Sequence, residues 1–168
     1  MNTQKSSLDL SHFPVMLSEV IKLSSPERGG LFVDCTFGGG GYSKELLKFP
    51  KTKIIAIDRD KSVVSSAKKL VTKFNNRFEF YLMKFSELDK ILKNKVDTII
   101  FDLGLSSIQL NNLKRGFSFK SKEKLDMSMG LSNISAQEVV NNLTEIQLNL
   151  IIKTLGEENE SKKIAKNI

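Results

Sequence analysis

The sequence contains little cysteine, histidine or tryptophan and has no long apolar segment. A single cysteine, Cys35, excludes an internal disulfide framework, and we interpret it as a small apolar filler on a strand. The only histidine, His12, cannot form a metal cluster by itself and is interpreted as a loop or cap residue. No apolar run approaches the roughly 20 residues that span a bilayer, and the amino terminus lacks the apolar core of a secretory signal. We therefore expect a cytoplasmic protein without a metal site.

Acidic residues are the minority among the charged ones. The 168 residues include 26 Lys and Arg against 19 Asp and Glu, which gives a formal charge of +7 and a pI near 9.4. This excess suits a polyanionic partner, although an A+T-rich genome would also enrich surface lysine. The local placement of charge is more informative, because residues 113–124 hold five basic side chains and one acidic one.

Short β-type runs alternate with helical patterns, which predicts parallel βαβ units and an α/β fold. Asp34, Asp58 and Asp102 close three of the expected strands, and ligands of open α/β sheets bind just beyond such carboxyl ends. Strands are expected at 30–36, 53–60, 77–83 and 96–104, and helices at 43–49, 62–74 and 85–92.

No clear apolar periodicity is present over residues 105–130. The residues that follow show helical patterns again. Two potential capping boxes precede these helices, Ser135 with Glu138 and Thr144 with Gln147. We expect the second helix to stop at Gly156 and a third amphipathic helix to follow it.

The stretch "DCTFGGGGYS" (34–43) places an acid at a strand end and four glycines directly behind it. A dinucleotide would use G-x-G-x-x-G, and Gly38 and Gly40 fit that spacing, but Ser43 occupies the third position. Asp34 would also repel the two phosphates. S-adenosylmethionine carries no phosphate, and its sulfonium and ammonium groups are cationic. A nearby carboxylate would therefore favour its binding.

The acid of the second strand also fits a nucleoside. Asp58 lies 17 residues after Gly41, near the spacing at which such an acid binds ribose hydroxyls. The alternative is that Asp58 only caps the helix that follows. A cationic nucleoside is the better match to the loop and the acid together.

Seven motifs follow one another along the chain in a fixed order. They are "HFPVMLSEVI" (12–21), "VDCTFGGGGYS" (33–43), "AIDRD" (56–60), "DLGLSSIQL" (102–110), "RGFSF" (115–119), "LDMSM" (125–129) and "GEE…IA" (156–165). These motifs resemble the RsmH (MraW) family, which uses S-adenosylmethionine to methylate N4 of a cytidine in small-subunit (16S) ribosomal RNA. The resemblance implies a Rossmann-like class I methyltransferase fold with a parallel sheet of at least four strands and a helical insertion. It assigns 1–110 to the cofactor-binding core and 111–168 to a loop and insertion segment that recognises substrate.

The resemblance also implies the site residues. Asp58 would bind the ribose, Phe85 would lie beside the adenine, and Asp102 and Gln109 would complete the cofactor pocket. Apart from the resemblance, the chemistry of amine methylation suggests that the Asp102 carboxylate accepts the N–H bonds of the target amine and assists its proton loss. With Asp34 from the loop argument, the expected cofactor contacts are Asp34, Gly40, Gly41, Tyr42, Asp58, Phe85, Asp102 and Gln109.

The segment after the fourth strand is a candidate RNA contact. Its basic and aromatic residues could bind phosphates and stack on bases, while the alternative is that Phe117 and Phe119 anchor the loop in the core. The expected RNA contacts are Arg115, Phe117, Phe119, Lys120 and Lys122.

The sequence departs from the family at three positions and in length. Tyr42 replaces a histidine, and Ser128 and Gly130 replace an arginine and an aspartate. The chain stops at Ile168, inside the insertion, so we expect a truncated product or one part of a split gene. The open edge of the fourth strand would then pair with a second copy or a partner chain. Two alternatives remain, a non-catalytic nucleoside-binding module and an NAD-binding oxidoreductase.

Overall fold

The computed structural model describes residues 14–132 and 134–168, so His12 lies outside the described residues. These residues form two compact units, one that ends at Ile108 and one that begins at Gln109. In the described part of the chain, no helix has the length and apolar character needed to cross a membrane.

The first unit is built on a four-stranded parallel sheet, which confirms the predicted α/β class. Its strands are β1 (Gly30–Asp34), β2 (Thr52–Asp58), β3 (Phe78–Leu82) and β4 (Thr98–Ile100). Their order is β3-β2-β1-β4, which is the Rossmann-like arrangement. Because the chain runs outward from β1 in both directions, the sheet reverses its order between β1 and β4. Ligands of such sheets bind at the carboxyl ends of the strands beside this reversal.

The fourth strand is shorter than the predicted 96–104, because its hydrogen-bond ladder to β1 ends after Ile100. The amide of Cys35 donates to the carbonyl of Ile100 at 2.9 Å, which is the last ladder bond on this side. The amide of Asp102 then donates to the side-chain hydroxyl of Thr36 at 2.8 Å instead of to a backbone carbonyl. A side chain thus replaces the ladder, and the chain leaves the sheet.

Helices and short 3₁₀ turns connect the strands. They are α1 (Leu17–Ser24), α2 (Gly41–Leu46) and α3 (Val64–Lys73), with 3₁₀ turns at Pro26–Arg28, Lys61–Val63 and Phe85–Lys90. The predicted helix 62–74 is confirmed. The predicted start of a helix at residue 43 is wrong, because α2 already begins inside the glycine run. The predicted helix 85–92 is also wrong, since this segment is a 3₁₀ turn that Glu87 interrupts with a non-helical conformation.

Apolar side chains cover both faces of the sheet. Phe32, Ile54 and Phe78 lie in the larger cluster, under the helices, while Val33 and Ile57 lie in the smaller cluster on the other face. Cys35 is a free thiol, buried in that smaller cluster, which confirms the prediction of an apolar filler. It lies one residue beyond β1, so its predicted place on a strand is wrong.

The second unit is helical. The unit begins within the short helix α4 (Ser107–Asn111). The helices α5 (Ala136–Asn142), α6 (Glu145–Thr154) and α7 (Ser161–Asn167) follow. Both predicted capping boxes are present in full. The predicted stop of α6 is also confirmed, with Gly156 just beyond it, but the left-handed conformation falls on Glu157 (φ 52°) rather than on the glycine.

Candidate functional site

Asp58 connects the glycine run to the second strand. Its carboxylate accepts the amide of Gly38 at 2.8 Å through one oxygen and the amide of Asp60 at 2.8 Å through the other. Burial raises the pKa of Asp58, although these bonds act in the opposite direction. Asp60, and not Asp58, caps the next turn, because its side chain accepts the amide of Ser62 at 2.9 Å. The interpretation of Asp58 as a helix cap is therefore wrong.

The four glycines have different structural roles. Gly40 has φ of 73°, and a Cβ there would lie 2.7 Å from the ring of Phe37. Phe37 is itself buried against Phe80, with ring centroids 5.4 Å apart. Gly39 faces open space with respect to the described residues, none of which, apart from its chain neighbours, has a heavy atom within 4 Å of a Cβ placed there. Gly40 is thus required by packing, while Gly39 leaves the surface of the loop accessible.

The last glycine and the following tyrosine contact the segment that precedes α1. A Cβ on Gly41 would collide with the ring of Pro14. The hydroxyl of Tyr42 donates to the carbonyl of Val15 at 2.5 Å, and its side chain is buried. Burial raises the pKa of Tyr42, and the nearby Asp102 carboxylate adds to this. The tyrosine that departs from the family pattern therefore binds this segment through its hydroxyl.

Asp34 lies beneath the glycine run, fully buried. Its carboxylate accepts the hydroxyl of Ser43 at 2.6 Å and the amide of Thr36 at 3.3 Å. Burial raises the pKa of Asp34 to about 6, against these hydrogen bonds. Its charge acts on the site from below, and its oxygens are not exposed to solvent. Direct contact between Asp34 and a cofactor stays a prediction.

Asp102 lies just beyond β4, on the other side of the strand reversal. It is partly exposed, and its amide is bonded to Thr36, two residues after Asp34. Thr36 therefore joins the carboxyl ends of β1 and β4. Thr36 was not among the predicted site residues, because a threonine in a loop gives no signal of a contact 66 positions away.

Phe85 and Phe101 form an exposed aromatic pair beside these strand ends. Their ring centroids are 5.4 Å apart and their planes meet at 85°, an edge-to-face arrangement. About two fifths of Phe85 and half of Phe101 remain exposed. Phe85, which is predicted to lie beside an adenine, thus offers an accessible apolar face. Phe101, its neighbour in this pair, was not among the predicted site residues.

The remaining predicted residues belong to the second unit. Gln109 is buried on α4, and its cofactor contact stays a prediction. The RNA candidates divide into two groups. Arg115 and Phe117 are partly buried, with the guanidinium 5.4 Å from the ring centroid. The more exposed group consists of Phe119, Lys120 and Lys122.

Of the two other departures from the family pattern, only Gly130 has a structural explanation. Ser128 accepts the guanidinium of Arg115 at 2.6 Å through its backbone carbonyl, a contact that does not depend on its side chain. Gly130 has φ of 69°, a conformation that favours glycine over aspartate.

Two sequence comparisons with known proteins agree on one family. The model of the MraW methylase family matches residues 9–168. Ribosomal RNA small subunit methyltransferase H of Ehrlichia ruminantium (strain Welgevonden) is 42% identical over 163 residues, which cover 94% of this chain and 54% of that protein. The protein of the same name from Orientia tsutsugamushi (strain Boryong) is 45% identical over 159 residues, with 94% and 51% covered. The chain spans about half the length of these curated relatives.

Among solved structures, an rRNA methylase from Streptococcus thermophilus is similar at a TM-score of 0.42 and 20% identity. The match covers 51% of this chain and 54% of that one. A likeness of this degree carries no inference about function.

Proposed function

The chain belongs to the MraW methylase family, and we propose from this that it acts as an S-adenosylmethionine-dependent ribosomal RNA methyltransferase. The substrate in this proposal is N4 of a cytidine in the 16S RNA of the small subunit, and the site of action is the cytoplasm. Residues 1–110 would hold the cofactor, and 111–168 would contact the RNA.

One observation carries the choice of cofactor. In a dinucleotide site the amides of the glycine run bind the pyrophosphate. Here the amide of Gly38 donates to Asp58, and that of Gly40 donates to the carbonyl of Phe37 at 2.6 Å. Both donors are used within the protein, and one of them serves a carboxylate. The loop is therefore better suited to a cationic nucleoside than to a diphosphate.

The NAD-binding alternative has one feature in its favour. The ammonium of Lys44 donates to the carbonyl of Gly39 at 2.7 Å, and a lysine could attract phosphate. Three carboxylates at the same edge of the sheet oppose it, those of Asp34, Asp58 and Asp102. Their summed negative charge favours a cationic ligand over a diphosphate.

The residues at this edge of the sheet are compatible with the proposed cofactor. Each carboxylate oxygen of Asp58 accepts one of the two amide bonds described above, and a carboxylate offers about four lone-pair sites, so acceptor capacity remains for a ribose hydroxyl. Gly39 leaves room above the loop, and the exposed ring of Phe85 suits a purine. Gly40, Gly41, Tyr42 and Gln109 complete the proposed set.

Asp102 is the proposed catalytic residue. When bound, S-adenosylmethionine supplies an electrophilic methyl group, and the cytosine amine is a weak nucleophile because its lone pair is delocalised into the ring. The Asp102 carboxylate would accept one amine N–H, orient the nitrogen, and take up the proton that the nitrogen loses. Thr36 fixes the backbone of Asp102 through the bond to its amide.

The open edge of β4 supports the proposal that a second chain completes the sheet. Among the described strands, none pairs with the outer edge of β4. Ile99 on β4 is exposed, as are Phe101 and Leu103 just after the strand. Such an edge is a template for pairing with another chain. If the edge mediates homodimerisation, Ile99→Lys should shift the sedimentation coefficient toward that of a monomer. An unchanged value, or a wild-type monomer, would reject the homodimer.

The activity can be tested with small ribosomal subunits that lack the modification. The expected result is transfer of a labelled methyl group to one cytidine of the 16S RNA, with no transfer to subunits that already carry it. Cofactor binding without transfer would instead support the alternative of a non-catalytic module that requires a partner chain. Transfer to a different RNA would reject the substrate but not the cofactor.

A further inference from the structure

A short turn in the second unit presents one aromatic side chain to solvent. The amide of Ser121 donates to the carbonyl of Ser118 at 2.9 Å, which closes a turn with Phe119 and Lys120 at its centre. The hydroxyl of Ser118 accepts the amide of Lys120 at 3.2 Å, and that of Ser121 donates to the carbonyl of Leu113 at 2.6 Å. The turn is therefore held by its own serines and bonded to the 3₁₀ turn that precedes it, Leu113–Arg115.

The base of this turn is held by the partly buried group. Arg115 packs on the ring of Phe117 and donates to the carbonyl of Ser128 at 2.6 Å. Its own carbonyl accepts the amide of Met127 at 2.9 Å. Arg115 and Phe117 thus close the loop from 116 to 126, and their role is to support the tip.

Packing does not explain the aromatic residue at the tip. The side chain of Phe119 is completely exposed, so it contributes nothing to a core. The residues around it are serines and lysines, and Lys120, Lys122 and Lys124 are exposed as well. One acid, Glu123, opposes five basic residues between 113 and 124.

We propose that Phe119 stacks on an unpaired base of the RNA substrate while the lysines of the same turn contact its phosphates. Exposed aromatics interleaved with cations are the arrangement used to bind single strands, because every base offers a π-face to the ring. The turn presents one large apolar side chain between serines and lysines, which favours a single base over an apolar lipid or protein surface. This inference rests on the proposed function and names a contact for its RNA.

The absence of tryptophan from the chain provides a direct test. Phe119→Trp introduces a sole tryptophan at the tip, and Leu23→Trp introduces one at another highly exposed position, on α1. Single-stranded RNA of about 12 nucleotides should quench the fluorescence of the Phe119→Trp protein and leave that of the Leu23→Trp protein unchanged. A blunt duplex of the same sequence should quench the Phe119→Trp protein much less. Equal quenching of both proteins, or no quenching of RNA-bound Phe119→Trp protein, would overturn the proposal.

Affinity measurements separate stacking from simple apolar contact. Phe119→Ala and Phe119→Leu should both weaken binding of the single strand about tenfold, whereas Phe119→Tyr should retain it. Binding by Phe119→Leu at the wild-type level would contradict stacking. A fluorescence response of the Phe119→Trp protein to anionic vesicles but not to RNA would assign the turn to a membrane surface instead.

The same proteins distinguish this inference from the proposed function. S-adenosylmethionine binding should be equal in wild type and in all Phe119 variants, because the turn lies outside the residues proposed to bind the cofactor. Quenching by RNA without any binding of S-adenosylmethionine would reject the proposed function alone. Cofactor binding and RNA methylation unaffected by Phe119→Ala, with no quenching, would reject the stacking contact alone.

Discussion

The hydroxyl of Ser43 donates a hydrogen bond of 2.6 Å to the buried carboxylate of Asp34. Ser43 occupies the position where a dinucleotide-binding loop has its third glycine, and the hydrogen bond explains why a serine is suitable there. Asp34 places a carboxylate below the glycine run, and Ser43 supplies the hydrogen-bond donor that this buried carboxylate needs. The carboxylate thereby contributes negative charge to the site from within the fold.

Replacement of Asp34 by Asn should make the chain less sensitive to pH. Because burial raises the pKa of Asp34 from 3.8 to about 6, ionisation of this group destabilises the fold as the pH rises from about 4 past 6. The free energy of unfolding of Asp34→Asn relative to wild type should therefore increase by roughly 1 kcal/mol between pH 5 and pH 7.5. Urea denaturation at the two pH values measures this difference.

Ser43→Ala is the matched control for this experiment. It removes a hydrogen bond that lowers the pKa of Asp34, so the stability of this variant should fall more steeply with pH than that of wild type. A difference between Asp34→Asn and wild type that does not change with pH would show that Asp34 titrates normally.

Asp58→Asn should weaken S-adenosylmethionine binding. The variant would lose the carboxylate proposed to accept the ribose hydroxyls, and hydrogen bonds to charged groups contribute about 1.5–3 kcal/mol, or roughly tenfold to 100-fold in affinity. Isothermal titration measures the change. Glu79→Gln removes an exposed carboxylate from β3 and should leave the affinity unaltered. An equal loss in both variants would point to general charge rather than to a ribose contact.

Two adjacent glycines should respond differently to alanine. Gly40→Ala adds a Cβ against Phe37 at a φ of 73°, and such strain costs about 1–3 kcal/mol, so the melting temperature should fall by several degrees. Gly39→Ala places its Cβ in open space and should change stability by less than about 0.5 kcal/mol. Thermal denaturation followed by circular dichroism compares them. Similar losses in the two variants would contradict the described loop geometry.

Asp102→Ala should abolish methyl transfer and leave the fold intact. The side chain lies partly exposed beyond β4, and the bond from its backbone amide to Thr36 does not require the carboxylate. Initial rates on unmodified small subunits, with circular dichroism as the folding control, measure the effect. Full turnover by the variant would remove Asp102 from the mechanism.

Local sequence signals predicted the four strands and the helix α3, but not the start of α2 or the 3₁₀ turn at Phe85–Lys90. The apolar strands and the acids at their ends indicated the sheet and the edge at which those acids lie, because burial and strand polarity are encoded within a few residues. The capping boxes at Ser135 and Thr144 were equally predictable, since both partners lie within one helical turn.

Contacts between distant residues were not predictable from the sequence. Three contacts depend on how separate segments of the chain meet. They are the packing of Phe37 against Gly40, the hydrogen bond from Tyr42 to Val15 and the hydrogen bond from the amide of Asp102 to Thr36. The division of the RNA candidates into the supporting pair Arg115 and Phe117 and an exposed tip likewise required the described geometry.

The proposed function depends on the glycine run and its carboxylates binding a cationic nucleoside rather than a diphosphate. Isothermal titration of the 168-residue chain with S-adenosylmethionine and, separately, with NAD is the decisive experiment. We expect saturable binding of S-adenosylmethionine and no detectable binding of NAD at the same concentrations. Binding of NAD that is as tight as, or tighter than, that of S-adenosylmethionine would contradict this choice of ligand.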